Sequence, residues 1–184
     1  MKFISWKTII YFLVLALTVL ALANCSGQGD WRTASREPAG IAPPAEATEE
    51  PVLHVYAARA WGWRGWFAVH TWIAVKRSGA EAYTVYEVVG WRAKRGKPVL
   101  RIAEDHPDRY WFGEKPRLLK EHRGAGVDHL IEAVDQAARS YPWPREYQVF
   151  PGPNSNTFTA WVAEQVPELQ VDLPWRAIGS GYVN

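Results

Sequence analysis

From residue 50 onward the apolar positions fall into an alternating pattern. Val52 to Ala60 places Leu53, Val55 and Ala57 on one side and Val52, His54, Tyr56 and Ala58 on the other, the two-residue period of a strand. Trp66 to Lys76 repeats it more clearly. Phe67, Val69, Thr71, Ile73 and Val75 form one nearly apolar face, and Trp66, Ala68, His70, Trp72 and Ala74 form the other. Trp61-Gly-Trp-Arg-Gly65 breaks the pattern between these strands, because its glycines favour a turn. Arg77 to Glu81 carries a Ser-Gly turn signal, and Ala82 to Trp91 predicts the returning strand of a β-hairpin. A turn centred between Ser78 and Gly79 would put Glu87 opposite His70. A slip of one residue would put Tyr86 or Val88 there instead. Arg92 to Lys97 reads as a solvated basic tip, and Pro98 to Ala103 as a further strand.

The spacing then becomes helical. Val127, Leu130, Ile131, Val134, Ala138 and Tyr141 make one stripe over Val127 to Tyr141, and Pro142 and Pro144 stop the helix. Pro116 to His122 predicts a short helix and Glu146 to Phe150 a short strand. Next comes Phe150-Pro-Gly-Pro-Asn-Ser-Asn-Thr-Phe158. Its prolines and glycine end what precedes it, and Asn154, Ser155 and Asn156 are good caps for a helix from Thr157 to about Val166. The expected fold is α+β, an antiparallel sheet packed against two main helices.

The N-terminus differs from the rest. Lys2 and Lys7 precede an apolar run from Ile9 to Ala23 that only Thr18 interrupts, and Ala21-Leu22-Ala23 fits a signal cleavage site. Leu22-Ala23-Asn24-Cys25 also resembles a lipoprotein box, with Asn24 an unusual residue before the cysteine. The run is short for a spanning helix, although Ile4 to Ala23 could marginally span. The expected organisation is an export signal or membrane anchor over 1–23, a flexible linker over 24–50 and one domain over 51–184. Trp31 is the linker residue expected to dock on the domain. The domain is expected on the envelope side of the membrane, with the N-terminal segment as its membrane contact.

Composition narrows the chemistry. The chain has 11 Trp, 8 Tyr and 6 Phe, which suits aromatic packing and groove walls. Lys2 and Lys7 account for the formal charge of +2, so beyond them 19 basic residues meet 19 acidic ones. That balance argues against nucleic acid as a partner. The single cysteine, Cys25, lies in the leader region. The domain therefore has no disulfide and no catalytic cysteine, and no metal-ligand spacing or phosphate loop implies a cofactor.

The candidate chemistry lies in two motifs. Ser155 sits where a turn feeds a helix, and there backbone N–H groups and the helix dipole favour an anion or a nucleophile; Ser and Asn are equally ordinary caps. His70 shares a strand face with tryptophans, and Glu87 or Tyr86 on the next strand could orient its ring. His106, in the connection Glu104 to Lys115, reads as a loop residue, although it too could complete the site. A strand His, a polar residue on the next strand, then Asn-Ser-Asn-Thr-Phe opening a helix: this order resembles the circularly permuted members of the NlpC-type papain-like superfamily, which includes lecithin:retinol acyltransferase-like proteins. The resemblance implies a permuted papain-like arrangement. It also implies His70 as general base, Glu87 or Tyr86 as orienting residue and Ser155 at the nucleophile position, where the superfamily has Cys. A serine hydroxyl is far less acidic than a thiol and needs a well-placed base. Phe-Ala-Val-His-Thr-Trp together with Gly-Pro-Asn-Ser-Asn-Thr-Phe also looks like an uncharacterised bacterial domain-of-unknown-function family, which supplies no activity.

The expected function is an exported amide or ester hydrolase or acyltransferase, acting on peptidoglycan or lipid. The alternative is an inactive envelope module that binds glycan, peptide or lipid in a Trp-rich groove. The candidate catalytic residues are His70, Glu87 and Ser155, and the candidate binding residues are Trp72, Tyr86, Asn154, Asn156 and Thr157.

Overall fold

The computed structural model describes residues 5–25 and 30–183. Lys2 and the linker stretch 26–29 lie outside the described residues. The first element is helix α1, Trp6–Cys25. Among the described residues no helix is long and apolar enough to cross a membrane.

The domain is α+β. Five strands, β1 Val52–Arg59, β2 Val69–Lys76, β3 Thr84–Val88, β4 Leu100–Glu104 and β5 Arg117–Arg123, form one antiparallel sheet in the order β4-β3-β2-β1-β5. Helices α2, Val127–Arg139, and α3, Ser155–Gln165, pack on one face. The alternation sorts the two cores. Leu53, Val55, Ile73, Val75, Tyr86 and Val88 join Ile131, Val134, Phe158 and Val162 from the helices. On the other face Val52, Tyr56, Trp72, Ala74 and Val85 meet Trp111 and Phe112.

Residues ahead of β1 cover much of this second face. Gly113 N–H donates to Ser35 O at 2.9 Å, Tyr110 N–H to Glu37 O at 2.9 Å and Tyr83 Oη to Pro43 O at 3.0 Å. Buried Asp108 accepts from the Ile41 and Ala42 N–H groups. The later half of the expected linker is thus a strap held by hydrogen bonds. Its docking residues are Ala34, Ile41, Ala42 and Ala45, whereas Trp31 is 46% exposed under the Arg32 guanidinium.

Three local expectations differ from the structure. Residues 117–123 form strand β5, not a helix, because the open edge of β1 offers a hydrogen-bonding partner. Leu118 and Leu119 then serve the two opposite cores. Charged side chains along this edge suit its exposure. The β2–β3 ladder pairs Ile73 with Tyr86, Ala74 with Val85 and Val75 with Thr84, two residues from the expected register. Extended by one residue, this register would set Glu87 opposite Trp72 and not His70. The connection is wider than a two-residue turn because Asp128 of α2 binds Ser78, and Gly79 N–H donates to Glu49 O at 2.9 Å. An even shift leaves Glu87 on the face that carries His70. Residues 146–150 form no strand, and Gln148 N–H instead donates to Pro153 O at 2.8 Å.

Candidate functional site

The start of α3 is built by a capping box. Asn154 has an extended backbone, and its Oδ1 accepts from the N–H groups of Asn156 at 2.9 Å and Thr157 at 3.2 Å. Thr157 Oγ1 accepts from the Asn154 N–H at 3.1 Å and donates to Gly179 O at 2.7 Å. Asn154 Nδ2 donates to Val149 O and Ile178 O. These bonds engage the N–H groups of Asn154, Asn156 and Thr157 among the donors that a helix start leaves open. Ser155 is the first helical residue and is 4% exposed.

Asn156 ties this helix start to β2. Its Nδ2 donates to Val69 O at 3.0 Å and Ile178 O at 2.9 Å, and its Oδ1 accepts from Thr71 Oγ1 at 3.0 Å. Thr71 Oγ1 also lies 3.3 Å from Ser155 O and 2.9 Å from Thr159 Oγ1. His70 falls between the two β2 residues that hold α3. The Asn-Ser-Asn-Thr-Phe motif and the strand histidine therefore meet along one seam, although 85 residues separate Thr71 from Asn156.

The side chains leave that seam in different directions. Thr71 faces α3, so strand alternation sends His70 to the other face of the sheet. There its ring lies flat on Trp111, with centroids 3.6 Å apart and planes at 7°, and it is 6% exposed. No hydrogen bond joins Ser155 to His70. His70 Nε2 is 3.6 Å from Glu87 Oε2, outside hydrogen-bond distance, and has no partner among the described residues. Burial lowers the His70 pKa, more than neighbouring Glu87 raises it, so the ring is neutral near pH 7.

Glu87 is 2% exposed and fully paired. Arg109 Nη2 donates to both carboxylate oxygens at 2.8 and 2.7 Å, and Arg101 Nη1 donates to Oε1 at 3.0 Å. Burial alone would raise its pKa, but His70 and Arg109 bring it down to about 2. Asp105 bridges the same arginines, 2.9 Å from Arg101 Nη1 and 3.6 Å from Arg109 Nε. A buried carboxylate with this many charge-assisted donors is fixed in position as well as ionised.

The remaining sequence candidates have structural roles. Trp72 lines no groove: it is fully buried and donates Nε1–H to Pro107 O at 2.7 Å. Tyr86 lies on the helix-covered face and donates to Asp135 Oδ1 at 2.9 Å, so it cannot be the residue that orients His70. His106 is exposed. The polar groups of Asn154, Asn156 and Thr157 are engaged within the chain, and the Asn156 N–H is committed to the cap and closed to an oxyanion. Among the described residues no group of three His, Cys, Asp or Glu is placed to hold a metal ion.

Arg101, Arg109 and Trp111 surround His70 and Glu87 without a sequence signal of their own. They lie on β4 and in the aromatic, charged connection after it, where no period marks them. Phe112, at a φ of 51°, occupies the left-handed region that bulky residues avoid, and Trp111 N–H bonds Glu114 O across this turn at 2.9 Å. That turn brings Trp111 onto His70.

A family described as a protein of unknown function, DUF3750, matches residues 50–182, which contain both motifs. The chain belongs to the DUF3750 family. No curated protein and no solved structure matches it. In this DUF3750 member the matched stretch holds the whole sheet, α2, α3 and the Glu87 network, whereas Arg36 and most of the strap precede it.

Proposed function

We propose that this DUF3750 protein is an exported cell-envelope hydrolase or acyltransferase that acts on an amide or ester through Ser155 and His70. Ser155 Oγ attacks the carbonyl carbon as His70 Nδ1 accepts its proton. Glu87, whose carboxylate lies 3.6 Å from Nε2, stabilises the imidazolium that forms. The tetrahedral intermediate collapses, the leaving amine or alcohol takes the proton from His70, and water or an acceptor alcohol then releases the acyl group. Among the described residues the Ser155 N–H has no acceptor, and it is the oxyanion donor in this reading. The observation that carries the proposal is the seam of hydrogen bonds from Val69 and Thr71 to the start of α3, which brings the two motifs together beside a neutral imidazole and an ionised carboxylate. Catalysis requires Ser155 Oγ and His70 Nδ1 to come within hydrogen-bond reach, a contact that the resting structure does not make. The resemblance to permuted NlpC-type proteins supports the same roles, and the N-terminal segment supports export and membrane attachment, with peptidoglycan or lipid as the substrate class.

A second reading, an inactive envelope binding module, is favoured by the Trp111 ring that covers His70. Hydrolysis of an activated ester by the full-length protein separates the two. The enzyme reading expects turnover that Ser155→Ala and His70→Ala each abolish. Equal background rates in all three proteins would leave the binding reading.

A further inference from the structure

A cleft of about 330 Å³ opens on the face of the sheet that carries His70. Four arginines, Arg36, Arg92, Arg101 and Arg109, line it together with Glu87 and Asp105, an excess of two positive charges. Its apolar wall includes Trp91, which is 37% exposed and stacks on Trp111, the ring that covers His70.

The carboxylates in the cleft do not use up these cations. Arg101 and Arg109 pair with Glu87 and Asp105. Arg36 makes no ion pair among the described residues; its guanidinium lies 4.2 Å from the Phe112 ring centroid and 5.9 Å from that of Trp91. Arg92 donates Nε–H to Pro98 O at 2.6 Å and has no carboxylate partner among the described residues. Buried Arg109 leaves Nη1 without a hydrogen-bond partner. An unsatisfied buried guanidinium nitrogen is costly in an apo protein and is relieved by an anion. Burial and the neighbouring Arg109 also lower the pKa of Arg36, by more than Glu87 and Asp105 raise it.

We propose that this cleft binds a phosphomonoester group through Arg36, Arg92 and Arg109. Planar guanidinium forks match phosphate oxygens, and the surplus of two charges matches a dianion better than a single carboxylate. Trp91 offers a flat surface to the rest of the ligand. The site stands whether or not Ser155 is a nucleophile.

The test is a titration of full-length protein in detergent with inorganic phosphate at constant ionic strength, read by tryptophan fluorescence. A saturable change is expected, at least tenfold weaker in Arg36→Gln and weaker still with Arg92→Gln added, with the unfolding temperature unchanged. Ser155→Ala is expected to bind phosphate like the wild type, so loss of hydrolysis and loss of the phosphate site are read separately. A parallel arm compares vesicles containing phosphatidic acid with phosphatidylcholine alone. Selective vesicle binding assigns a lipid phosphate, and phosphate binding without it assigns a soluble phosphorylated ligand. A phosphate response that does not saturate, or one equally strong in the arginine variants, would overturn the proposal.

Discussion

The Asn156 carboxamide donates to the Val69 carbonyl at 3.0 Å, and this bond fixes the start of α3 to the residue before His70. It also donates to Ile178 O and accepts from Thr71, so a single side chain joins β2, α3 and the C-terminal segment. Replacing it with alanine leaves the partly buried Val69 carbonyl of β2 without this donor and removes three hydrogen bonds. Asn156→Ala is expected to cost about 2–4 kcal/mol, measured by denaturant unfolding. Any residual ester hydrolysis should fall further than the remaining folded fraction accounts for, because in the proposed mechanism the seam positions Ser155 and His70. A variant that loses stability with no further loss of rate would break the link between seam and site.

Glu87 and Arg109 form a buried ion pair, and each depends on the other. Glu87→Ala leaves the Arg109 guanidinium in the protein interior with only Asp105, 3.6 Å from its Nε, and is expected to cost about 3–5 kcal/mol. Replacing both, Glu87→Leu with Arg109→Met, should cost less than the two single changes summed. A thermodynamic cycle on the four proteins measures that coupling, and strict additivity would contradict the pairing.

Stability should fall with acid in two stages. Burial lowers the pKa of His70 and also that of His54, which sits between Tyr56 Oη at 2.7 Å and Glu121 Oε2 at 2.6 Å. Below the ordinary histidine value of 6.5 the unfolded chain binds protons that the folded chain resists, so the stability present above that pH is lost as pH falls. Each histidine contributes a slope of at most about 1.4 kcal/mol per pH unit. Glu87 then adds a second loss, from its ordinary 4.5 down to about 2. Thermal unfolding followed from pH 8 to pH 3 should show both stages; His54→Gln should flatten part of the first alone, whereas His70→Gln should flatten the first and also shrink the second, because His70 helps to lower the Glu87 pKa.

The parts of the fold that could be read from sequence were those governed by period. β1, β2 and β3, both main helices and the cap at Asn154 follow from alternation, from a helical stripe and from polar residues after prolines. Leu118 and Leu119 gave no such signal, because an edge strand takes its conformation from the free edge of β1 and not from its own propensity. The register of β3 depended on a connection anchored by Asp128 and Glu49, both distant in sequence. His70 and Glu87 could be placed on one face because alternation survives an even slip. Their partners Arg101, Arg109 and Trp111 could not, because tertiary contacts alone bring that connection over the sheet.

The central claim is that Ser155 is a nucleophile served by His70. The most direct measurement treats full-length protein with a fluorophosphonate and identifies the modified peptide by mass spectrometry. The account predicts one phosphonyl adduct on Ser155, formed at a rate that His70→Ala lowers at least a hundredfold and absent from Ser155→Ala. An unmodified Ser155 in wild type that is folded by circular dichroism would contradict it.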